Sequence, residues 1–193
     1  MNIDLNLIVE SIPEMLSGFG TTLYLLIISG FLGLLLAIVL LLMRISGKFY
    51  LDFPAQIYIY IFRGTPILVQ IFIIYYGLPQ FEYIQDSMFW IILREPTGCA
   101  ILALTLNTGA YVSEILRGGV LAVNRGLIEA GSALGMNARH RFIYITTPIA
   151  IRIALPSYSN DVVSLLKSTA LASTITITDM TGIARTIVSK TYA

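Results

Sequence analysis

The chain has 193 residues, 56% of them hydrophobic and 12% charged, with a formal net charge of +1. Soluble globular domains carry about 25% charged residues, so the composition excludes an ordinary soluble fold and points to a single all-α integral membrane domain spanning 1–193, with the lipid bilayer as its solvent; the near-neutral charge carries no signal for nucleic acid, and none is expected as a partner. One cysteine (Cys99) excludes an internal disulfide, and one histidine with scattered carboxylates supplies neither a metal cage nor a nucleophile with its base, so no catalytic residue, metal or cofactor is expected.

The first twelve residues carry Asp4 and Glu10 and no basic residue, which excludes a cleavable signal pattern. Thr21 to Met43 is uncharged and exceeds the roughly 20 residues a helix needs to cross a bilayer, so it is the first predicted span. A second is expected from about Pro54 to Pro79, kinked at Phe62 to Pro66 (FRGTP), where Pro66 removes a backbone hydrogen bond and Gly64 loosens the turn. Arg63 falls in its early turns, where a long side chain reaches headgroups or water. Tyr75, Tyr76, Phe81, Tyr83 and Trp90 follow as an aromatic belt. A third span covers about Thr97 to Leu116, and a fourth about Ile153 to Thr174, the latter carrying Asp161 and Lys167.

Basic residues orient these spans. Arg44 and Lys48 lie between the first two, and Arg117, Arg125, Arg139, Arg141 and Arg152 between the last two. The loop joining spans two and three holds only Arg94, and the N-terminus holds none. The positive-inside rule therefore sets the N-terminus outside and the loop at about 126–148 in the cytoplasm.

Within that loop Leu127, Ala130, Leu134 and Ala138 recur at helical spacing and predict one amphipathic helix. Gly131 and Gly135 leave a flat patch for a close backbone approach. Arg139, His140 and Arg141 suit its C-terminal end and Glu129 its start. Two uses remain open: a docking face, or a helix lying on the inner leaflet. The glycines of GLIEAGS lack the lysine and preceding strand of a phosphate-binding loop, which excludes a nucleotide site.

Ionisable groups at bilayer depth usually face a bundle interior or an aqueous path. On span four Ser157, Asn160, Ser164 and Lys167 form a polar stripe, with Asp161 and Ser168 beside it. Lys167 lies eleven residues beyond Pro156, roughly 16 Å along a helix and so near mid-membrane. The stripe is a candidate translocation path; the other reading pairs Lys167 with Asp161 or with an acid of a partner. On span three Asn107, Tyr111 and Glu114 share a face, Glu114 being explained either by a pair with Arg117 three residues on or by contact with a solute.

EAGSALGMNARHRFIYITTP resembles the cytoplasmic signature of the permease subunits of ATP-binding-cassette (ABC) importers: Glu-Ala-Ala, three residues, Gly, nine residues, Ile, any residue, Leu-Pro. Glu129, Ala130, Gly135, Ile145 and Pro148 match; Gly131 stands for the second alanine and Thr147 for the leucine. FRGTPILVQIFIIYYGLPQ, LREPTGCAILALTLNTGAYVSEILRGGV and LLKSTALASTITITDM are similar to the polar amino-acid branch, and more closely to permeases for histidine, lysine, arginine and ornithine or for octopine and nopaline. The resemblance implies a type I ABC importer transmembrane domain in a bacterial inner (plasma) membrane, multi-pass, coupled to a separate ATPase dimer through a coupling helix that uses Glu129, Ala130, Gly131, Leu134 and Gly135. It also implies a second, similar permease, a heterodimer rather than a homodimer, and a periplasmic or extracellular solute-binding protein. The family pattern continues past SKTYA with one more helix, so four spans are expected here against the usual five. The rival reading is an ion-gradient-driven secondary transporter or channel subunit, for which Asp161 and Glu114 are the only candidate ion sites.

Overall fold

The computed structural model describes residues 5–191; Asp4 lies outside them. Every described element is helical: α1 (Leu5–Ser17), α2 (Phe19–Ile45), α3 (Phe49–Gly64), α4 (Ile67–Phe72), a π turn (Ile73–Gly77) and a 3-10 turn (Leu78–Gln80), the short α5 (Glu82–Gln85) and α6 (Trp90–Leu93), α7 (Pro96–Leu121), α8 (Arg125–Ala133), α9 (Ala138–Arg141), a second π turn (Phe142–Thr146), α10 (Thr147–Thr169), a 3-10 stretch (Ala170–Ile175) and α11 (Met180–Thr191).

Among the described residues two stretches are long and apolar enough to cross a membrane, Ser11–Ile45 and Pro96–Leu121, and the broken pair Phe49–Gly64 and Ile67–Gln80 makes a third if it counts as one span. The first and third predicted spans thus exist with longer ends, and the second is interrupted at Thr65 and Pro66 where the kink is expected. The fourth is α-helical only to Thr169, with a 3-10 stretch over Ala170–Ile175, and its polar residues, Arg152, Asp161 and Lys167 among them, leave α10 less apolar than the other spans. Two helices have no counterpart in the sequence reading: α1, whose Asn, Glu and Pro residues dilute the apolar signal, and α11. The loop helix also ends earlier than its apolar stripe suggests. α8 stops at Ala133, and Ala138 begins α9 with Asn137 as its cap, so Arg139, His140 and Arg141 sit at the start of the next helix rather than at the end of this one.

Contacts divide the chain into two compact units, residues 1–31, 65–105 and 164–193 in the first, 32–64 and 106–163 in the second. Helices α2, α7 and α10 run through both.

In the first unit α11 docks against the α1–α2 junction. Asp179 is buried, and its Oδ1 accepts the Gly182 N–H at 2.8 Å, capping the first turn of α11. The Met180 N–H donates to Thr22 Oγ1 at 3.4 Å. Gly18 permits this approach: a Cβ there would stand 2.7 Å from Asp179 C and Met180 N. Leu25, Ile71, Leu104 and Ile175 are buried in this unit, and Cys99 is a buried free thiol with its Sγ 3.2 Å from Leu93 O.

In the second unit small residues bring helices together. A Cβ on Gly119 would meet Ala150 O at 2.6 Å, so α7 and α10 touch through Gly119, Ala150 and Ala154. Small residues at such crossings let backbones close up where lipid gives no hydrophobic drive. The end of α3 is held by α7. Pro66 has no N–H to offer the carbonyl of Phe62, and Asn107 Nδ2 donates to that carbonyl at 3.2 Å. One residue on, the Tyr111 hydroxyl donates to Arg63 O at 3.4 Å, while Tyr58 OH donates to Leu106 O at 2.7 Å.

Gly18→Ala forces backbone apart at the α11 cap and is expected to cost about 1–3 kcal/mol, whereas Gly20→Ala, with nothing within 4 Å of its Cβ, costs nothing. Thermal unfolding in detergent reads the difference: a lower Tm for the first variant alone.

Candidate functional site

The sequence-predicted site residues fall into three groups. The first is α8. Asn124 caps its start, accepting the Gly126 N–H at 2.8 Å. Its end is a Schellman turn: Gly135, at φ +78, donates to Ser132 O at 3.0 Å, and Met136 N donates to Gly131 O at 3.0 Å. The left-handed backbone at Gly135 is what a Cβ resists. Gly135 therefore serves the turn that stops the helix. Leu134 is 82% exposed; Leu127, Glu129 and Ala130 are exposed as well. Gly131 faces the other way. It is buried, and a Cβ there would meet Ile145 Cδ1 at 2.7 Å and the Arg141 side chain at 3.3 Å. Arg141 Nη1 donates to Met136 O at 2.6 Å and closes the turn from behind. α8 thus presents an apolar outer face and leans with its glycine on the π turn that leads into α10.

The second group is on α10. Asn160, Ser164 and Lys167 share its exposed face, as does Ser157. Asp161 and Ser168 are half-buried on the opposite side, in register with buried Ala150, Ala154, Leu165 and Thr169. Ser168 Oγ donates to Ser164 O at 2.9 Å, back along its own helix. No ion pair joins Lys167 to Asp161 among the described residues.

The third group centres on Glu114 of α7. Arg117 grips it with two bonds, Nε to Oε1 at 2.9 Å and Nη2 to Oε2 at 2.7 Å, the i,i+3 pair expected from sequence. Arg44, at the end of α2, adds a contact of 3.5 Å to Oε1 and a hydrogen bond to Asp52 in the first turn of α3. Gln56 Nε2 donates to the second oxygen of Asp52 at 2.7 Å. Only 16%, 17% and 29% of the Arg44, Glu114 and Arg117 side chains is exposed. Charge-assisted, bidentate bonding serves the Arg117–Glu114 pair, while Arg44 Nε is buried within ion-pair range of Glu114 with no hydrogen bond among the described residues. Asn107 lies one element away, engaged with the end of α3.

Sequence reading missed Arg44 as a partner of Glu114, and Asp52 as the second acid that Arg44 bonds. Their signal was weak: two opposite charges flanking a Ser-Gly-Lys turn, with no periodic relation to residue 114. An open groove of about 660 Å3 runs beside this cluster, lined by α3 residues from Phe53 to Gly64 together with Tyr111, Glu114 and Arg44.

Residues 29–192 match the family described as binding-protein-dependent transport system inner membrane component. The octopine transport system permease protein OccM of Rhizobium meliloti is 52% identical over 183 residues, covering 95% of this chain and 75% of that protein. The nopaline transport system permease protein NocM of Agrobacterium fabrum is 49% identical, covering 98% and 79%. The histidine/lysine/arginine/ornithine transport system permease protein HisM of Escherichia coli is 44% identical, covering 91% and 74%. Among solved structures, an amino acid ABC transporter with histidines superposes with a TM-score of 0.88 at 34% identity, over 100% of this chain and 86% of that one.

Replacing Glu114 by Leu strands two shielded arginines, an expected loss of about 1–3 kcal/mol. The double change Glu114→Leu, Arg117→Met should recover part of it, and a double-mutant cycle on detergent Tm measures the coupling.

Proposed function

Because this chain belongs to the family of binding-protein-dependent transport system inner membrane components, we propose that it forms part of the path by which an ATP-driven importer moves polar, basic amino acids or opines. The proposal treats the chain as a single permease domain with α10 as a fourth, polar span. It sets the N-terminus outside, as the basic residues Arg44, Lys48, Arg125, Arg139 and Arg141 favour. The substrate class follows that of the octopine, nopaline and histidine/lysine/arginine/ornithine permeases it resembles. The likeness to an amino acid ABC transporter at 34% identity favours an ATP-driven importer over a gradient-driven carrier.

One observation carries the coupling half of this reading: α8 is capped at both ends, exposes Leu127, Ala130 and Leu134, and packs its inner side on the π turn that opens into α10. A separate ATPase subunit is the proposed occupant of the exposed face, with Glu129 at its edge. ATP-driven closure of an ATPase dimer would press on α8, and the pinned turn would pass the displacement to α10. That is how a ligand biases a two-state bundle: it binds one state better than the other. Hydrolysis then restores the resting state.

The exposed stripe Asn160, Ser164 and Lys167 is the proposed lining of the path, facing a second, similar permease in a heterodimer. Lys167 bears on the carboxylate of the solute. Asp161 and Ser168, on the half-buried side of the same helix, support the stripe and reach the path as the bundle changes state. Asn107 and Glu114 act more through structure, the first completing the end of α3 and the second holding α2, α3 and α7 together. A solute-binding protein delivers cargo from outside.

Leu134→Lys should leave Tm unchanged and abolish co-purification of the ATPase from a mild-detergent extract of cells expressing the whole transporter. Retention of the ATPase would refute docking through this face. Lys167→Met should keep expression and binding-protein-stimulated ATP hydrolysis while reducing uptake into proteoliposomes to background; unimpaired uptake would remove Lys167 from the path.

A further inference from the structure

The flank of α10 turned away from the polar stripe borders a second groove. Ile151 and Asn160 are nine residues apart, about two and a half helical turns, so the two lie on opposite sides of the helix. Helix α2 from Leu34 to Leu42 forms one bank of this groove, α10 from Thr147 to Tyr158 the other, and Leu116 and Val120 of α7 the floor. The groove holds about 440 Å3, and its lining is apolar but for the Thr147 and Tyr158 hydroxyls, the first of which is spent on Phe142 O. It stays open for the reason that α7 and α10 close up: Ala150 and Ala154, which admit Gly119, put no long side chain into the space toward α2.

Length and charge single out one kind of occupant. The α2 bank rises about 12 Å and the α10 bank about 16 Å, against roughly 15 Å for one leaflet, half of the hydrocarbon core. The groove is therefore one leaflet deep. Phe142 lines its mouth, and Arg139 stands three residues earlier, a spacing at which helical side chains are neighbours. Arg152 lies three residues before Leu155 on the rim, and its long side chain can carry the guanidinium to headgroup level. Both arginines are exposed, and neither forms an ion pair among the described residues. Between Glu129 and Asp161 the chain has no acidic residue to compete for them. The His140 and Tyr144 rings stack at 5.8 Å beside the mouth, with Tyr144 67% exposed, as aromatic side chains do where a membrane meets water. An apolar trough of leaflet depth that ends at two unpaired guanidinium forks fits an acyl chain with a phosphate at its head.

We propose that this groove binds an anionic phospholipid of the inner leaflet, one acyl chain lying between α2 and α10 and the phosphate resting on Arg139 and Arg152. Phe142 also opens the π turn on which α8 leans, so the lipid braces the segment between the docking helix and α10. The inference goes beyond the importer reading and takes from it only the orientation in the membrane.

The test uses the complete transporter in mild detergent with equal amounts of phosphatidylglycerol and phosphatidylcholine of the same chains, and counts retained lipids by native mass spectrometry. Wild type should retain phosphatidylglycerol about tenfold or more over phosphatidylcholine, and Arg139→Gln with Arg152→Gln should lower that preference about fivefold for each arginine. Arg185→Gln with Lys190→Gln, which removes two positive charges from α11, should leave it unchanged. Ile38→Trp and Ile151→Trp fill the groove from positions 41% and 53% exposed, where folding tolerates them, and should reduce retention of both lipids. Equal retention of the two lipids by wild type overturns the proposal, as does an equal loss of preference in the α11 variant or full retention in both tryptophan variants. A photoreactive p-benzoylphenylalanine in place of Ile38 should capture phosphatidylglycerol; capture of peptide instead, from a second subunit or another segment of this chain, overturns it too. Uptake of amino acids and opines by the same wild-type preparation is measured alongside: its absence counts against the importer reading, whereas a missing lipid preference counts against this site.

Discussion

Every helix of this chain that meets lipid must satisfy its own backbone, because hydrocarbon offers no substitute donor or acceptor. Prolines make that requirement hard, and Pro66 on one hand, Pro79 and Pro148 on the other, show two ways of meeting it. At Pro66 the helix breaks, and side chains from α7 take over: Asn107 donates to the carbonyl of Phe62 and Tyr111 to that of Arg63. At Pro79 and Pro148 the helix widens instead. Each is preceded by a π turn, Ile73–Gly77 and Phe142–Thr146, whose i→i−5 bonds absorb the register change before the ring arrives. Thr147 adds its hydroxyl to Phe142 O at 2.8 Å beside the second.

These repairs position the functional groups. Because Tyr111 is spent on the end of α3, its ring lies against Arg63 and orients that guanidinium. Because Glu114 is on the same face of α7 one turn further, it meets Arg44, which also bonds Asp52, where α2 hands over to α3. Because the second π turn sits just ahead of α10, it offers α8 a widened segment to lean on, and Gly131 is the residue small enough to lean. A stretch of sequence that looked like a list of polar residues in apolar helices becomes a set of consequences of where the backbone lacks partners.

Much of this was legible in the sequence. The uncharged run at Thr21 to Met43, the break at FRGTP and the Glu114–Arg117 pair each rest on local rules, and local rules transfer. The π turns were not legible, because a residue inserted into a helical ladder changes no composition. The stripe from Leu127 to Ala138 misled for a related reason: apolar period persists across the Schellman turn at Gly135, while the backbone does not. The better signal was beside it, a glycine stop followed by an asparagine cap at residue 137. Arg44 and Asp52 required tertiary knowledge, since nothing near residue 114 announces them.

The division of labour on α10 follows from the same physics. A helix that packs on α7 through Gly119, Ala150 and Ala154 must turn one face inward, and the polar groups that would cost most there are the charged ones. Lys167 is on the outer face, whereas Asp161, also ionisable, takes a half-buried place and bears that cost. In lipid an exposed Asn160, Ser164 and Lys167 would be expensive. In a permease that faces a second subunit across an aqueous path they are in water, or against the polar groups of a solute. The cost of leaving this stripe to lipid is the physical ground for the proposed partner subunit, as the exposed apolar face of α8 is for the proposed ATPase. α10 turns Ala150 and Ala154 inward against α7 and leaves Asn160, Ser164 and Lys167 on the face that the proposed second subunit would cover.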